Sequence, residues 1–104
     1  MKELNSKNEL NELLNANTPI LLDFYADWCG PCQTLLPIVE SLAEEHKDDF
    51  VIAKVNVDKN EELAKDFKVR NIPALFLIKN QEVKEKLVGL QTKEHLNNII
   101  QQYA

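Results

Sequence analysis

The sequence predicts an α/β domain whose central mixed β-sheet has a parallel core, a C-terminal antiparallel hairpin and helices on both faces. Segments with apolar residues at helical spacing alternate with short apolar runs that are typical of buried strands. The last two runs are joined by Lys79-Asn80-Gln81, which is too short for a crossover and therefore predicts a hairpin. The length of 104 residues fits a single domain spanning residues 1–104.

The first half of the chain predicts two strands and two helices. Lys2–Leu4 favours a short first strand, and Ser6 can begin a capping box for a helix over Lys7–Asn15. Ile20–Ala26 is a nearly continuous apolar run, which suits a strand covered on both faces. Apolar residues then recur at helical spacing over Pro31–His46, so we expect a helix there.

The middle of the chain predicts a strand, a short helix and another strand. Apolar residues alternate along Val51–Val57, which places its valines on one face of a strand. Asp58 or Asn60 can cap a helix that runs to about Phe67. Ala74–Ile78 is apolar throughout and predicts a buried strand. The alternation of strands with helices favours parallel pairing in this part of the sheet.

The C-terminal part predicts an edge strand and a last helix. In Glu82–Val88, lysines and glutamates stand between apolar residues, as they often do in edge strands. Thr92 can cap a final helix. The residues of that helix expected to face inward are Leu96, Ile99, Ile100 and Tyr103.

Composition and charge exclude some function classes. Seventeen acidic and 12 basic residues give a net charge of −5, which argues against nucleic-acid binding. No apolar stretch is long enough for a membrane span, and the charged start Met1–Glu9 does not resemble a signal peptide. If the chain is complete, we expect a cytoplasmic protein that does not bind membranes. In that reducing compartment, its two cysteines favour a catalytic, redox-sensing or metal-binding role over a structural one.

The cysteines lie in Trp28-Cys29-Gly30-Pro31-Cys32, directly between a predicted buried strand and a predicted helix. Two cysteines three residues apart at a helix start can close a small ring with little backbone movement. The first is placed where unpaired backbone N–H groups and the helix dipole favour an anion. Proline suits the first helical turn, because its missing N–H would have no partner there. This context indicates thiol–disulfide exchange.

The helix start has only a modest effect on reactivity. Lowering a thiol pKa from ~8.5 to about 7 raises the thiolate fraction at pH 7 roughly 16-fold. The lower pKa also reduces the intrinsic nucleophilicity of the thiolate about fivefold, so the net gain in reaction rate is about threefold. The larger effect should come from the second thiol, which is held beside the mixed disulfide and has a very high effective molarity.

Two other interpretations of the pair are open. A zinc site usually needs four ligands, and the only further strong candidates, His46 and His95, lie in predicted helices without helpful spacing. The cysteines could also be buried and inert. Neither alternative uses the strand-to-helix context of the pair, so we expect no metal site.

The residues around the pair resemble the thioredoxin family. The resemblance covers nearly the whole chain, and the segments in order are far more specific than the cysteine spacing alone. It is carried by Asp23-Phe24-Tyr25-Ala26-Asp27-Trp28-Cys29-Gly30-Pro31-Cys32, Pro37, Ala53-Lys54-Val55-Asn56-Val57-Asp58, Val69-Arg70-Asn71-Ile72-Pro73-Ala74 and Val88-Gly89.

The resemblance implies a thioredoxin fold and catalytic roles for named residues. Cys29 would be the exposed nucleophile, Cys32 the buried resolving thiol, and Pro73 a cis-proline facing them. Asp23 would be a buried acid/base that accepts the proton of Cys32, and Lys54 would modulate Asp23. Independently of the family, an aspartate in an apolar strand should have a raised pKa, because burial disfavours its charged form. The alternative is a solvated Asp–Lys pair with no chemical role.

The resemblance also implies an apolar rim that holds extended or unfolded targets without reading their sequence. For Ile72 and Val88 the alternative is a place in the core, and Gly89 would be required where a side chain would block an approaching partner. The substrate-binding residues it implies are Trp28, Gly30, Pro31, Ile72, Pro73, Val88, Gly89 and Leu90.

By the same resemblance, the function would be reduction of disulfides in target proteins and maintenance of cell redox homeostasis. No cofactor would be bound beyond the redox-active Cys29–Cys32 disulfide, and electrons would come from NADPH through a thioredoxin reductase. The protein would be a monomer whose partners are that reductase and its targets. Two alternatives remain: an oxidase or isomerase in an oxidising compartment, and a binding subunit of the same fold that does not need its thiols.

Overall fold

The computed structural model describes all 104 residues, which form a five-stranded sheet and four helices and confirm the predicted α/β class. The bounds of α1 and β5 are as predicted, and α2 is shifted by one residue at each end. In chain order the elements are β1 (Lys2–Glu3), α1 (Lys7–Asn15), β2 (Ile20–Tyr25), α2 (Gly30–Glu45), β3 (Val51–Asn56), α3 (Glu61–Asp66), β4 (Ala74–Lys79), β5 (Glu82–Val88) and α4 (Lys93–Tyr103).

The strand order is β1-β3-β2-β4-β5. Strand β3 pairs in parallel with β1 and β2, and the β4–β5 hairpin is antiparallel, as predicted. Strand β4 is also antiparallel to β2, although it follows a helix. The six residues of α3 span only about 9 Å, whereas a six-residue strand spans about 20 Å. β4 starts from the end of the sheet at which β2 and β3 finish, so the parallel pairing predicted for this part of the sheet is wrong for β4.

Each face of the sheet is covered by two helices. Leu22 and Phe24 of β2 pack with α1 and α3, whereas Leu21 packs with α2 and α4. Because side chains alternate along a strand, Asp23 lies on the same face as Leu21. β2 therefore directs the carboxylate of Asp23 toward α2, the helix whose first turn contains Cys32.

Two helix caps form as predicted and one does not. The Oγ of Ser6 accepts the N–H of Glu9 at 3.2 Å, and Thr92 caps α4 in the same way. Asn60 occupies the N-cap position of α3, but its side chain makes no capping bond. Its amide instead donates to the carbonyl oxygens of Leu4 at 3.3 Å and Asn56 at 3.1 Å. Asn60 therefore ties the start of α3 to the sheet instead of capping the helix.

The turn of the C-terminal hairpin consists of Asn80 and Gln81, whose φ angles are 55° and 64°. Positive φ at both central residues is the geometry of a type I′ turn, which matches the twist of the flanking strands. Glutamine is unfavourable in this region because its Cβ crowds the backbone. The turn therefore keeps a common hairpin type at some cost in stability.

No helix in the structure combines the length and the apolar character that crossing a membrane would require.

Candidate active site

The cysteine pair lies where β2 ends and α2 begins. Cys29 is the N-cap residue of α2, and its Sγ accepts the N–H of Cys32 at 3.2 Å. The two residues form a disulfide with a Cα–Cα distance of 5.2 Å, within the usual range for disulfides. An N-cap sulfur is next to the positive end of the helix dipole, so this position stabilises the thiolate of Cys29 once the bond is reduced.

The exposure expected for Cys29 is not found. Cys29 is 5% exposed and Cys32 is 2% exposed, so both sulfurs are largely covered in the disulfide form. They pack in a small cluster with Tyr25 and Ala26, and Val57 and Ile72 close it from the side. Only a small opening on the Cys29 side of the pair is therefore accessible to a partner in the disulfide form.

The loop before β4 faces this opening. The Ile72–Pro73 peptide bond is cis, as the family resemblance implied. The carbonyl oxygen of Ile72 lies 3.8 Å from the Sγ of Cys29, and the N–H of Ile72 makes no backbone hydrogen bond. The carbonyl of Pro73 accepts the N–H of Gly89 at 2.9 Å, which fixes the loop to the end of β5. The backbone of Ile72 is thus held in place and free to pair with an incoming chain.

Asp23 is buried in β2, on the face of the sheet that α2 covers. It is 1% exposed, and neither carboxylate oxygen has a hydrogen-bond partner. Burial raises the pKa of Asp23 from 3.8 to about 7, while the charge of Lys54 pulls the pKa down. The predicted rise is confirmed. A carboxyl group with a pKa near neutrality exchanges protons readily at physiological pH.

Lys54 is the register partner of Asp23 on β3, and it lies on the same face of the sheet. Its Nζ is 5.4 Å from the centre of the Tyr25 ring, and it has no carboxylate oxygen within 4.0 Å. The two side chains therefore form no direct ion pair. Lys54 acts on Asp23 by its charge, across a longer distance.

Most of the residues expected to form an apolar rim are exposed. Trp28 is 72% exposed, Val88 50% and Leu90 55%, and Gly30 and Pro31 are exposed as well. Val88 is therefore not a core residue. Ile72 is half-buried and Pro73 is buried.

Gly89 has a φ of +90°, and a Cβ built on it would meet nothing within 4 Å. The backbone conformation therefore calls for glycine here, in addition to the steric reason that the sequence suggested. A larger residue would strain the chain next to the Pro73 carbonyl that Gly89 binds.

Two residues of the site were missed by sequence reasoning. The Oδ2 of Asp58 accepts the indole Nε1–H of Trp28 at 2.8 Å and orients this exposed ring. Val57 packs against the cysteine cluster. Both lie in the segment Ala53–Asp58 that carried the family resemblance, but their contacts with residues about 30 positions earlier leave no local signal.

The geometry offers no metal-binding cluster, because no three His, Cys, Asp or Glu side chains come together in a way that could hold a metal ion. Nε2 of His46 lies 2.6 Å from Oδ1 of Asn97, on the far end of α2 from the cysteines. The disulfide between Cys29 and Cys32 is the observation that favours the redox interpretation of the pair.

Comparisons with known proteins agree with this arrangement. The family model described as Thioredoxin matches residues 1–102. A thioredoxin of Haemophilus influenzae is 45% identical over 91 residues, covering 88% of this chain and 85% of its own. A thioredoxin of Mycoplasmoides gallisepticum is 36% identical over 100 residues, covering 96% of this chain and 99% of its own.

Solved structures show the same fold. The thioredoxin of Fasciola hepatica has a TM-score of 0.92 at 35% identity, with all of both chains covered. A mutant thioredoxin of Halobacterium salinarum has a TM-score of 0.90 at 43% identity, covering 98% of this chain and 88% of its own. With the cysteine pair at disulfide distance at the start of α2, the chain belongs to the thioredoxin family of dithiol–disulfide oxidoreductases.

Proposed function

We propose that this protein reduces disulfide bonds in target proteins and that the Cys29–Cys32 pair is oxidised in each cycle. The observation that carries the proposal is the position of the Cys29 sulfur. It lies between the N–H of Cys32 at 3.2 Å and the carbonyl oxygen of Ile72 at 3.8 Å. The first group stabilises a thiolate, and the second belongs to the loop before β4, whose backbone can align a target disulfide.

In the first step, the thiolate of Cys29 attacks one sulfur of the target disulfide. A mixed disulfide forms between Cys29 and the target, and the other target sulfur leaves as a thiolate that takes up a proton. The N-cap position supports Cys29 as the nucleophile, because its Sγ is the one that faces backbone N–H groups at the start of α2.

In the second step, Cys32 resolves the mixed disulfide. Its thiol gives a proton to the carboxylate of Asp23, and the resulting thiolate attacks the Sγ of Cys29. The Cys29–Cys32 disulfide forms, and the second target sulfur leaves as a thiolate. The target disulfide has then gained two electrons, and the cysteine pair has lost two. The burial of Asp23 on the face covered by α2 and its pKa of about 7 support this role.

Lys54 tunes this acid. Because its charge lowers the pKa of Asp23, it increases the fraction of Asp23 that is ready to accept a proton at pH 7. Lys54 therefore affects the reaction only indirectly, by lowering the pKa of Asp23.

The target is held by the rim and by the loop before β4. The exposed ring of Trp28 and the side chains of Val88 and Leu90 offer apolar contacts around the opening. The backbone of Ile72 pairs with an extended target segment, which binds targets without selecting their side chains. The full substrate-binding set is Trp28, Gly30, Pro31, Ile72, Pro73, Val88, Gly89 and Leu90.

Each cycle leaves the protein oxidised, so continued turnover needs an electron source. Members of this family need no bound cofactor and have disulfide-containing targets and reductases as partners. For this chain we infer that electrons come from NADPH through a thioredoxin reductase. We also infer that it works as a cytoplasmic monomer, with residues 1–104 forming one domain that does not bind nucleic acid.

A redox titration of the pair tests the proposal. The protein is equilibrated with thiol buffers of known potential, and the fraction of Cys29–Cys32 disulfide is measured by alkylation of free thiols. Each 30 mV corresponds to about 1.4 kcal/mol of preference between dithiol and disulfide. We expect a two-electron midpoint below the cytosolic glutathione poise of about −240 mV, as a reductase requires.

A clearly higher midpoint would indicate a protein that forms or isomerises disulfides. The absence of reversible exchange, together with partner binding that survives replacement of both cysteines by serine, would indicate a binding subunit. Either outcome would contradict the proposed reductase function.

A further inference from the structure

A groove with basic walls runs from the active site along the segment between α3 and β4. It consists of two open clefts, of about 450 Å³ and about 270 Å³, which share Lys68, Val69 and Arg70. We call it the basic groove, after the four exposed cations in its walls: Lys65, Lys68, Arg70 and Lys86.

The charges of the basic groove are not neutralised within the protein. None of its four cations has a carboxylate oxygen within 4.0 Å, because the ion pairs of the chain involve other lysines. Glu61 is the single acidic residue in the walls. Asp58 follows the wall residue Val57 and keeps its negative charge, because the Trp28 indole that it binds is neutral, but it does not line either cleft. This concentration of positive charge is opposite in sign to the net charge of −5.

The cations are attached to ordered structure. Lys68 lies two residues after the end of α3 with a φ of 54°, and its N–H donates to the carbonyl of Lys65 at 3.0 Å. The N–H of Val69 donates to the carbonyl of Ala64 at 2.9 Å, which completes a helix-terminating motif. The Nζ of Lys86 lies 5.5 Å from the centre of the buried Phe76 ring. The backbone that carries Lys68 and Val69 is therefore fixed by the end of α3.

The groove adjoins the cysteine pair. Val57 is a wall residue that also packs against the cysteine cluster. Asn71, at the other cleft, directly precedes Ile72, whose carbonyl faces Cys29. An extended chain advances about 3.3 Å per residue, so a target segment aligned on Ile72 reaches the groove within a few residues of its cysteine.

We propose that the basic groove binds acidic residues that flank the reactive disulfide of a target protein. This proposal rests on the proposed reductase function and adds a preference among its targets. Carboxylates in the target complement the unpaired cations, and this attraction speeds the encounter more than it strengthens the complex. The apolar rim accepts many targets, and the groove selects among them by charge.

Three cyclic peptides test the preference. Each contains the same ring closed by one disulfide, flanked on both sides by three glutamates, three glutamines or three lysines. The rate constant for their reduction by the dithiol form is measured from the thiols released. At low salt we expect the glutamate peptide to react about tenfold faster than the glutamine peptide, and the lysine peptide to react slowest. The difference should shrink strongly at about 0.5 M salt.

Two triple variants of equal charge separate the groove from the overall charge. The groove variant carries K68Q, R70Q and K86Q, and the control carries K2Q, K47Q and K79Q. We expect the groove variant to lose most of the roughly tenfold advantage of the glutamate peptide and to keep the rate of the glutamine peptide. The control should keep both rates.

Equal losses in the two triple variants, or equal rates for the three peptides, would overturn the proposed preference. In both cases the glutamine peptide would still be reduced. If the wild-type protein fails to reduce the glutamine peptide at all, the reductase function itself is overturned, and the groove proposal with it.

Discussion

Asp23 and Lys54 are register partners on adjacent parallel strands, yet neither carboxylate oxygen of Asp23 has a hydrogen-bond partner. The ammonium group of Lys54 lies instead over the ring of Tyr25. The structure thus keeps a carboxyl group buried without the contacts that would normally stabilise its charge. The pKa of about 7 is the result, and it has consequences for both stability and catalysis.

The first consequence is that Asp23 makes stability fall with rising pH. The pKa of this carboxyl group rises from an ordinary value of 3.8 to about 7 in the fold, so between these values the folded state holds a proton that the unfolded state has lost. The stability it contributes is complete below about pH 4 and is lost as the pH rises through 7. For D23N, we expect the unfolding free energy relative to wild type to rise by roughly 3–4 kcal/mol between pH 4 and pH 8.

Urea denaturation of the oxidised proteins at the two pH values measures this change. The comparison across pH is needed because burying the amide of D23N itself changes the free energy of unfolding. This change is the same at pH 4 and pH 8, so it cancels in the comparison. A stability difference between D23N and wild type that does not change with pH would show that Asp23 has an ordinary pKa.

The second consequence concerns the resolving step. If the carboxylate of Asp23 accepts the proton of Cys32, the rate of this step should rise with pH through about 7. Replacing Lys54 by glutamine removes the charge that lowers the pKa of Asp23, so the rise should move to higher pH. Stopped-flow measurement of mixed-disulfide decay from about pH 5 to 9 follows the inflection.

K79Q serves as the matched control for K54Q. Lys79 lies four residues along β4 from Leu75, the partner of Asp23, which corresponds to roughly 13 Å and exceeds the screening length in physiological salt. The pH–rate profile of K79Q should have its inflection at the same pH as the wild-type profile. Identical profiles for K54Q and K79Q would refute a role for Lys54 in tuning Asp23.

The order of attack can be tested by trapping the mixed disulfide. Replacing Cys32 by serine removes the resolving thiol, so the adduct between Cys29 and a disulfide peptide should live at least about a thousandfold longer. Mass spectrometry of the quenched reaction detects it as a covalent complex. C29S should give no such adduct, because Cys32 lies within α2 and its Sγ is not at the N-cap position that stabilises a thiolate. A stable adduct on Cys32 would reverse the assigned roles.

The sequence was informative where structure depends on neighbours in the chain. The bounds of α1 follow from the spacing of its apolar side chains. The caps Ser6 and Thr92 each accept a hydrogen bond from the N–H of the residue three positions later. The cysteine pair was recognised because its strand-to-helix context is continuous. The raised pKa of Asp23 followed from its polar side chain within an apolar strand.

The sequence was uninformative where contacts join distant residues. The amide of Asn60 donates to the carbonyl of Leu4, which lies 56 positions away. The residues around Asn60 therefore gave no indication that its side chain would not cap α3. The low exposure of Cys29 depends on Ile72, 43 positions later. In the basic groove, Lys86 joins Lys68 only because β5 pairs with β4. Such cations are far apart in the sequence, and only the folded sheet brings them together.

The hairpin turn offers a test of stored strain that is independent of the active site. Gln81 has a φ of 64° in a type I′ turn, a conformation that costs residues other than glycine about 1–2 kcal/mol. Replacing it by glycine should therefore raise the free energy of unfolding by about 1 kcal/mol, since part of the gain is lost to the flexibility of glycine in the unfolded chain. Q81A keeps the Cβ and should bring no comparable gain. Urea denaturation of both variants decides the point, and equal stability of Q81G and Q81A would mean that the Cβ is not the source of the strain.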